Sequence, residues 1–341
     1  MDENRLKCKL GAVPLICLLV VAFTATAVWG QAIEKITVNY IEAEANPAKY
    51  SNEVRAFVTA SDINENPITG LSKENFKILE DGKEIEVEEV SQAVDPMAIV
   101  LAIDTSGSMQ AQDKSGQTSM AAAKRAALDF VSMLSEEDRV ALFSFNNEPI
   151  LHVDFSEDQG AAINAIYALS AKPNAATCLY DTVFEAVKKA AEIPKGRRAV
   201  ILLTDGKDEK AGQTCSTHNV NDVIDIATTK TIRVPIYTIG VGPGVDAREL
   251  GRMASLTGGR NLLATSLAEL QTFYQAIANQ LKNQYLIRYT TRIPSGEHSL
   301  VIKVQYEESR GQDEKRFWTP PLPVFQPPAV SIVSPGPEDQ V

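Results

Sequence analysis

The stretch VLAIDTSGSM, residues 100–109, is a short apolar run that ends in three oxygen-bearing side chains on alternate positions, Asp104, Ser106 and Ser108. An apolar run of this length is what a strand buried on both faces looks like, and Gly107 lets the backbone turn so that both hydroxyls can converge. The run AVILLTDG, residues 199–206, repeats the design, with Asp205 just past its apolar part. In an open α/β sheet, ligands sit beyond the carboxyl ends of the strands, where the strand order reverses, so two acids at two strand ends can face one crevice. A donor set made only of oxygen suits Mg²⁺, Mn²⁺ or Ca²⁺ and not zinc. The plainer alternative is that Asp and Ser here are turn and cap residues opening a helix. That accounts for any one loop, but not for several loops whose oxygen side chains fall at one end of a sheet.

These residues resemble the metal-ion-dependent adhesion site of von Willebrand factor type A domains, the family that includes the integrin inserted domains. The resemblance spans residues 96–282. The family pattern has D-x-S-x-S after the first strand, a Thr in a later loop, and T-D-G after the fourth strand. Here Asp104, Ser106 and Ser108 come first, then Thr177 in NAATCLYD (174–181), then Asp205, with order and spacing kept. IYTIGVG (236–242) and ASLTGGR (254–260) look like the family's fifth strand and the helix end before its last strand. The resemblance implies an α/β fold with a doubly wound, mostly parallel, Rossmann-like sheet. It implies that Ser106, Ser108 and, in one state, Thr177 touch the ion, while Asp104 and Asp205 act mostly through bound water. Mg²⁺ is the first choice of divalent cation, with Mn²⁺ or Ca²⁺ as alternatives, and an Asp or Glu side chain of a partner protein is expected to complete the shell.

At the front, Arg5, Lys7 and Lys9 precede an apolar segment from Leu10 to Trp29, which reads as a secretory signal in residues 1–30. Cleavage could follow Ala27, Gly30 or Ala32. The segment is also long enough to stay as an uncleaved anchor, and residues 10–29 are then the chain's one membrane contact. Either way the rest is exported to a secreted, periplasmic or cell-surface location, and the lack of any Asn-x-Ser/Thr sequon favours a bacterial envelope. Export leaves Cys178 and Cys215 as an even pair in an oxidising compartment. A disulfide between them is expected to tie two metal-site loops together, with two free thiols as the alternative. A net charge of −11 disfavours nucleic acid as a partner.

Residues 31–95 read as strands: KITVNYIEAE (35–44), EVRAFVTASD (53–62) and FKILEDGKEIEVEEVS (76–91), the last folded at Asp81-Gly82, a hairpin signal. Residues 283–325 do the same through QYLIRYTTRI (284–293), HSLVIKVQYEE (298–308) and RFWTPPLPVF (316–325), around turns at Pro294-Ser295-Gly296 and at Gly311. Neither flank is long enough for a comfortable domain alone. They are expected to pair into one small β-sandwich, with the α/β domain of residues 96–282 inserted between them. Residues 326–341 are proline-rich and read as a stiff tail or as the start of a further domain. Inside the α/β unit, SMAAAKRAALDFVSML (119–134) places Met120, Ala123, Ala127, Phe130, Val131 and Leu134 on one face, as a sheet-covering helix does. RVALFSF (139–145) is the next buried strand and ILHVDF (150–155) a short edge strand.

Catalysis is not expected. His152, His218 and His298 are scattered over three segments, no G-x-S-x-G elbow or zinc-spaced His pair is present, and IGVGPGVD (239–246) lacks the spacing of a dinucleotide loop. Two functions remain: an exported adhesion or assembly module whose ion grips a partner carboxylate, or an envelope scaffold in which the metal is absent or only stabilising.

Overall fold

The structure, a computed structural model, describes residues 32–229 and 232–322. The apolar segment of residues 1–30 and the proline-rich end, residues 326–341, lie outside the described residues. Among the described residues, no helix is long and apolar enough to cross a membrane.

The chain opens with β1 (Lys35–Asn46), β2 (Ser51–Ser61), β3 (Phe76–Glu80), β4 (Lys83–Ile85) and β5 (Glu89–Gln92). The α/β unit follows as β6 (Met97–Asp104), α1 (Ser119–Ser132), β7 (Arg139–Phe145), β8 (Pro149–Ser156), α2 (Gln159–Ala168), α3 (Leu179–Ala191), β9 (Arg197–Thr204), α4 (Val220–Thr228), β10 (Ile236–Val241), α5 (Ala247–Thr257), β11 (Asn261–Ala264) and α6 (Glu269–Lys282). The chain closes with β12 (Tyr285–Thr291), β13 (Gly296–Tyr306) and β14 (Ser309–Thr319).

The α/β unit is a doubly wound sheet in the order β11-β10-β9-β6-β7-β8, parallel except for the antiparallel edge strand β8. Strand β6 lies inside the sheet and is buried at every position, which is why its sequence is an unbroken apolar run rather than an alternating one. Its side chains still alternate between two cores. Ile99, Leu101 and Ile103 face α1, α2 and α6, while Val100 and Ala102 face α3, α4 and α5. The α1 stripe of Met120, Ala123, Ala127, Phe130 and Val131 is buried in the first of these cores, with Leu134 packed at its margin. Thr118 caps α1 by accepting from the Ala121 amide at 3.1 Å. From β6 the chain moves outward to β7 and β8, then crosses to β9 on the other side of β6. The order therefore reverses between β6 and β9, whose ends are level, with Ile103 opposite Leu203.

The strands before and after this unit interleave in two antiparallel sheets, β1-β2-β12-β5 and β14-β13-β3-β4. Strand β12 pairs with both β2 and β5, and β13 lies between β3 and β14. The facing sides share one core that includes Val38, Val58, Ile78, Ile287, Tyr289, Ile302 and Phe317. The two sheets thus form a sandwich that neither flank could build alone.

Two local readings are corrected. The segment KEIEVEEVS is not one strand: β4 stays in the sheet of β3, Val87 is buried, and β5 joins the other sheet. The Asp81-Gly82 turn itself holds, with both residues at positive φ, as a two-residue hairpin of this kind requires. The last turn falls at Glu307-Glu308 and not at Gly311, which lies inside β14 opposite Val304. A Cβ at Gly311 would come within 2.7 Å of the Ile36 side chain, so this glycine allows close packing on β1 rather than a bend.

Candidate metal centre

Asp104 is the last residue of β6 and is fully buried. Its Oδ1 accepts from the Ser106 amide at 2.8 Å, which turns the chain, and its Oδ2 accepts from the Thr204 hydroxyl at 2.6 Å. Ser106 and Ser108 have their hydroxyls 3.0 Å apart, and the Ser108 hydroxyl donates to Asp205 Oδ1 at 2.6 Å. Thr177 reaches the same place from the loop before α3: a Cβ added at Gly206 would lie 3.4 Å from Thr177 Oγ1 and 4.0 Å from Ser108 Oγ. All five predicted residues therefore gather at the carboxyl ends of β6 and β9. The serines spend their side chains on one another and on Asp205. Ser106 makes no capping hydrogen bond to the single helical turn Gly107–Gln110 that follows it, so helix capping does not account for them.

The supporting contacts are specific. Gly107 donates its amide to the Ala175 carbonyl, and a Cβ there would come within 3.0 Å of the Asn174 amide nitrogen, so the first loop packs directly on the Thr177 loop. The Thr105 hydroxyl donates to the Phe145 carbonyl and accepts from Asn146 Nδ2. Asn146 in turn accepts the Cys178 amide on its carbonyl, and Asn147 Oδ1 accepts from the Ala176 amide. Cys178 and Cys215 form a disulfide. These loops border an open crevice of about 990 Å³ lined by Ser108, Thr177, Asp205, Gly206, Lys207 and Glu209 among others.

The electrostatics suit a cation. Burial raises the Asp104 carboxyl to about 7, with the nearby Asp205 adding to that effect and the bonds from Ser106 and Thr204 opposing it. Burial likewise raises Asp205 above the ordinary carboxylate range, against its bond from Ser108. Asp205 lines the crevice while Asp104 is buried, and a positive charge near both would relieve these two desolvated acids. Among the described residues no three His, Cys, Asp or Glu side chains cluster, so the donors here are three hydroxyls and two carboxylates. That set fits a hard divalent cation, and the absence of a side chain at Gly206 leaves room beside the hydroxyls.

Thr204, Asn146, Asn147 and Asp208 were not singled out from the sequence. Thr204 belongs to the T-D-G motif and could have been; the others carry no local signal. The three histidines are separate in space: His152 bonds to Ser144, His218 to Asp181 and His298 to Asp81, and none lines the crevice.

Residues 99–207 match the family model of the von Willebrand factor type A domain. Among curated proteins, a UPF0353 protein of Mycolicibacterium paratuberculosis is 29% identical over 202 residues, covering 54% of this chain and 60% of its own length. A UPF0353 protein of Mycobacterium leprae is 27% identical over 209 residues with the same coverage. The chain thus spans 60% of the length of these relatives. Among solved structures, the von Willebrand factor type A protein from Catenulispora acidiphila has a TM-score of 0.48 at 14% identity, covering 86% of this chain and 74% of its own. Proximal thread matrix protein 1 from the mussel byssus, with a zinc-occupied MIDAS motif, has a TM-score of 0.48 at 18% identity, covering 60% and 50%.

Proposed function

This chain carries a von Willebrand factor type A domain, and we propose that it works as an exported, metal-dependent protein-binding module, for adhesion or assembly, whose partner presents an Asp or Glu side chain. The observation that supports this reading is the convergence of Ser106, Ser108, Thr177, Asp104 and Asp205 at the switch point between β6 and β9, with Ser108, Thr177 and Asp205 lining an open crevice. In this reading the hydroxyls of Ser106, Ser108 and Thr177 together with Asp104 and Asp205 would hold the ion, which would supply an electrophilic position for a carboxylate oxygen. Mg²⁺ is the proposed ion, ahead of Mn²⁺ and Ca²⁺.

The protein's own contribution is preorganisation. Thr204 fixes Asp104, Asp104 fixes the turn at Ser106, and Gly107 seats that turn on the Thr177 loop. Neutral hydroxyls as ligands would leave most of an ion's charge available to a partner carboxylate. The Cys178–Cys215 disulfide fits an oxidising, extracytoplasmic setting. No catalytic role is proposed, since each histidine is engaged away from the crevice.

The test is the thermal midpoint of the chain from residue 31 in EDTA, Mg²⁺, Mn²⁺ and Ca²⁺, for wild type and Asp104→Ala. An ion at about 100 times its dissociation constant adds roughly 2.7 kcal/mol. At about 2 °C per kcal/mol for a protein of this size, the midpoint rises about 5 °C. The mutation is expected to abolish the rise. No rise in any ion refutes the metal-dependent reading and leaves the scaffold role, with the β-sandwich making the contacts.

A further inference from the structure

We infer that the loop between β9 and α4 is a clasp that fixes the Thr177 hydroxyl in the metal site, with Asp208 as its positioning residue. This rests on the metal-site reading above and deepens it.

Helix α3 starts two residues after Thr177, and its N-cap residue, Cys178, offers the helix no side-chain hydrogen bond. The first amides of a helix need partners from somewhere. Here the facing loop supplies them: Leu179 donates its amide to Asp208 Oδ1 at 2.8 Å, and Asp181 donates its amide to Ser216 Oγ at 3.0 Å. The Asp208 carboxylate is a hub. Its Oδ1 also accepts from the Ser216 hydroxyl, and its Oδ2 accepts the amides of Cys215 at 2.9 Å and Ser216 at 3.0 Å. Four donors from two segments thus meet on one side chain, and both of its oxygens are engaged by these bonds.

Nearer the site, Thr177 and Glu209 exchange both backbone hydrogen bonds at 3.0 Å, and the Cys178–Cys215 disulfide joins the next residue covalently. Farther along α3, Asp181 accepts from the amides of Thr217 and His218 and from His218 Nδ1. Thr177 is therefore tied to the same loop that begins with Asp205. Two ligands that would otherwise ride on independent loops belong to one cross-linked unit. The entropy of ordering Thr177 is spent during folding instead of on ion binding, and groups behind metal ligands typically govern about 10–100-fold in affinity.

The experiment is Mn²⁺ titration by electron paramagnetic resonance on the protein, in wild type, Asp208→Asn, Thr177→Ala and the double variant. Amide hydrogen exchange at Thr177, Leu179 and Glu209 is followed in parallel. Asn keeps one acceptor but turns an amide group toward the other donors. Asp208→Asn is expected to weaken Mn²⁺ binding about 10-fold or more and to speed exchange at all three amides. In the Thr177→Ala background it should cause no further loss, because Asp208 acts through Thr177; a purely structural role would weaken both backgrounds alike. Wild-type Mn²⁺ affinity in Asp208→Asn, or an equal loss in both backgrounds, overturns the clasp. A wild type whose Mn²⁺ binding is absent, or unaffected by Asp104→Ala, overturns the metal-site reading and the clasp with it. Should Asp208→Asn fail to fold, the Cys178→Ala/Cys215→Ala pair decides: about 10-fold weaker Mn²⁺ binding supports the clasp and unchanged binding overturns it.

Discussion

Replacing Arg197 by Met should lower the thermal midpoint by about 6–10 °C, because this one guanidinium joins both crossings between the sandwich and the α/β unit. Arg197 opens β9 and is buried. Its Nη1 donates to the carbonyls of Ala93 at 3.2 Å and Asp95 at 3.1 Å, in the linker that enters the α/β unit. Its Nε donates to Gln284 Oε1 at 3.2 Å in the linker that leaves, and its Nη2 donates to the Leu281 carbonyl in the last turn of α6, where a cation also complements the helix dipole. Met keeps the apolar stem and removes every donor. Three of the stranded acceptors sit on buried residues, Ala93, Leu281 and Gln284, and each unpaired buried acceptor costs about 1–3 kcal/mol. Part of that is returned, since burial opposes the charge of Arg197 and lowers its pKa. With three such acceptors stranded and part of the cost returned, the net is about 3–5 kcal/mol. At about 2 °C per kcal/mol this gives the stated shift. Differential scanning calorimetry on wild type, Arg197→Met and Arg197→Lys measures it. Lys should recover only part of the loss, because an ammonium cannot present a planar fork to four diverging acceptors. A fall of less than about 2 °C for Met would refute the reasoning, and so would a Lys variant indistinguishable from wild type.

Two further outcomes are expected. Gly206→Ala should leave the midpoint in EDTA within about 1 °C of wild type, because Gly206 has no left-handed φ and the added Cβ meets its neighbours at ordinary contact distances. The same Cβ stands beside the Thr177 and Ser108 hydroxyls, so the ion-dependent rise should be lost; a full rise in that variant would show that the ion lies elsewhere. The sandwich should also carry a pH-dependent contribution from His298 and Asp81, whose Nδ1 and Oδ2 are 2.7 Å apart. Burial works against a charged ring, but Asp81 at Nδ1 and the Pro294 carbonyl at Nε2 outweigh it and raise the His298 pKa above 6.5, while the Ser299 amide and His298 hold Asp81 below 3.8. A raised histidine stabilises fully below its unfolded value and ceases to as pH climbs through its folded value; a lowered aspartate stabilises above its unfolded value and ceases to as pH falls. The midpoint difference between wild type and His298→Gln should therefore be largest near pH 5 and shrink toward pH 8, and a difference independent of pH would count against the pair.

The sequence by itself determined the centre of this molecule. A strand buried on both faces must be an uninterrupted apolar run, so β6 and β9 could be read directly, and the oxygen side chains just past each run marked the crevice at their ends. The α1 stripe was legible for the same reason, since a helix covering a sheet writes its buried face at intervals of three and four. Each of these is a local pattern imposed by one element's own geometry. What surrounds the centre was decided by tertiary structure. KEIEVEEVS has the composition of one strand, and only the presence of two facing sheets splits it between them. Gly311 looks like a turn residue, and only the Ile36 side chain of β1, packed against it, shows that it is a packing glycine. Arg197 looks like an ordinary surface charge in the sequence because its partners become neighbours only when β9 is placed beside β6 and the two flanks close on each other, and Asp208 does so because Leu179 meets it only when the β9–α4 loop folds against α3. A side chain whose role is to join distant segments leaves no periodicity to read, and its function is fixed by contacts that exist only in the folded chain.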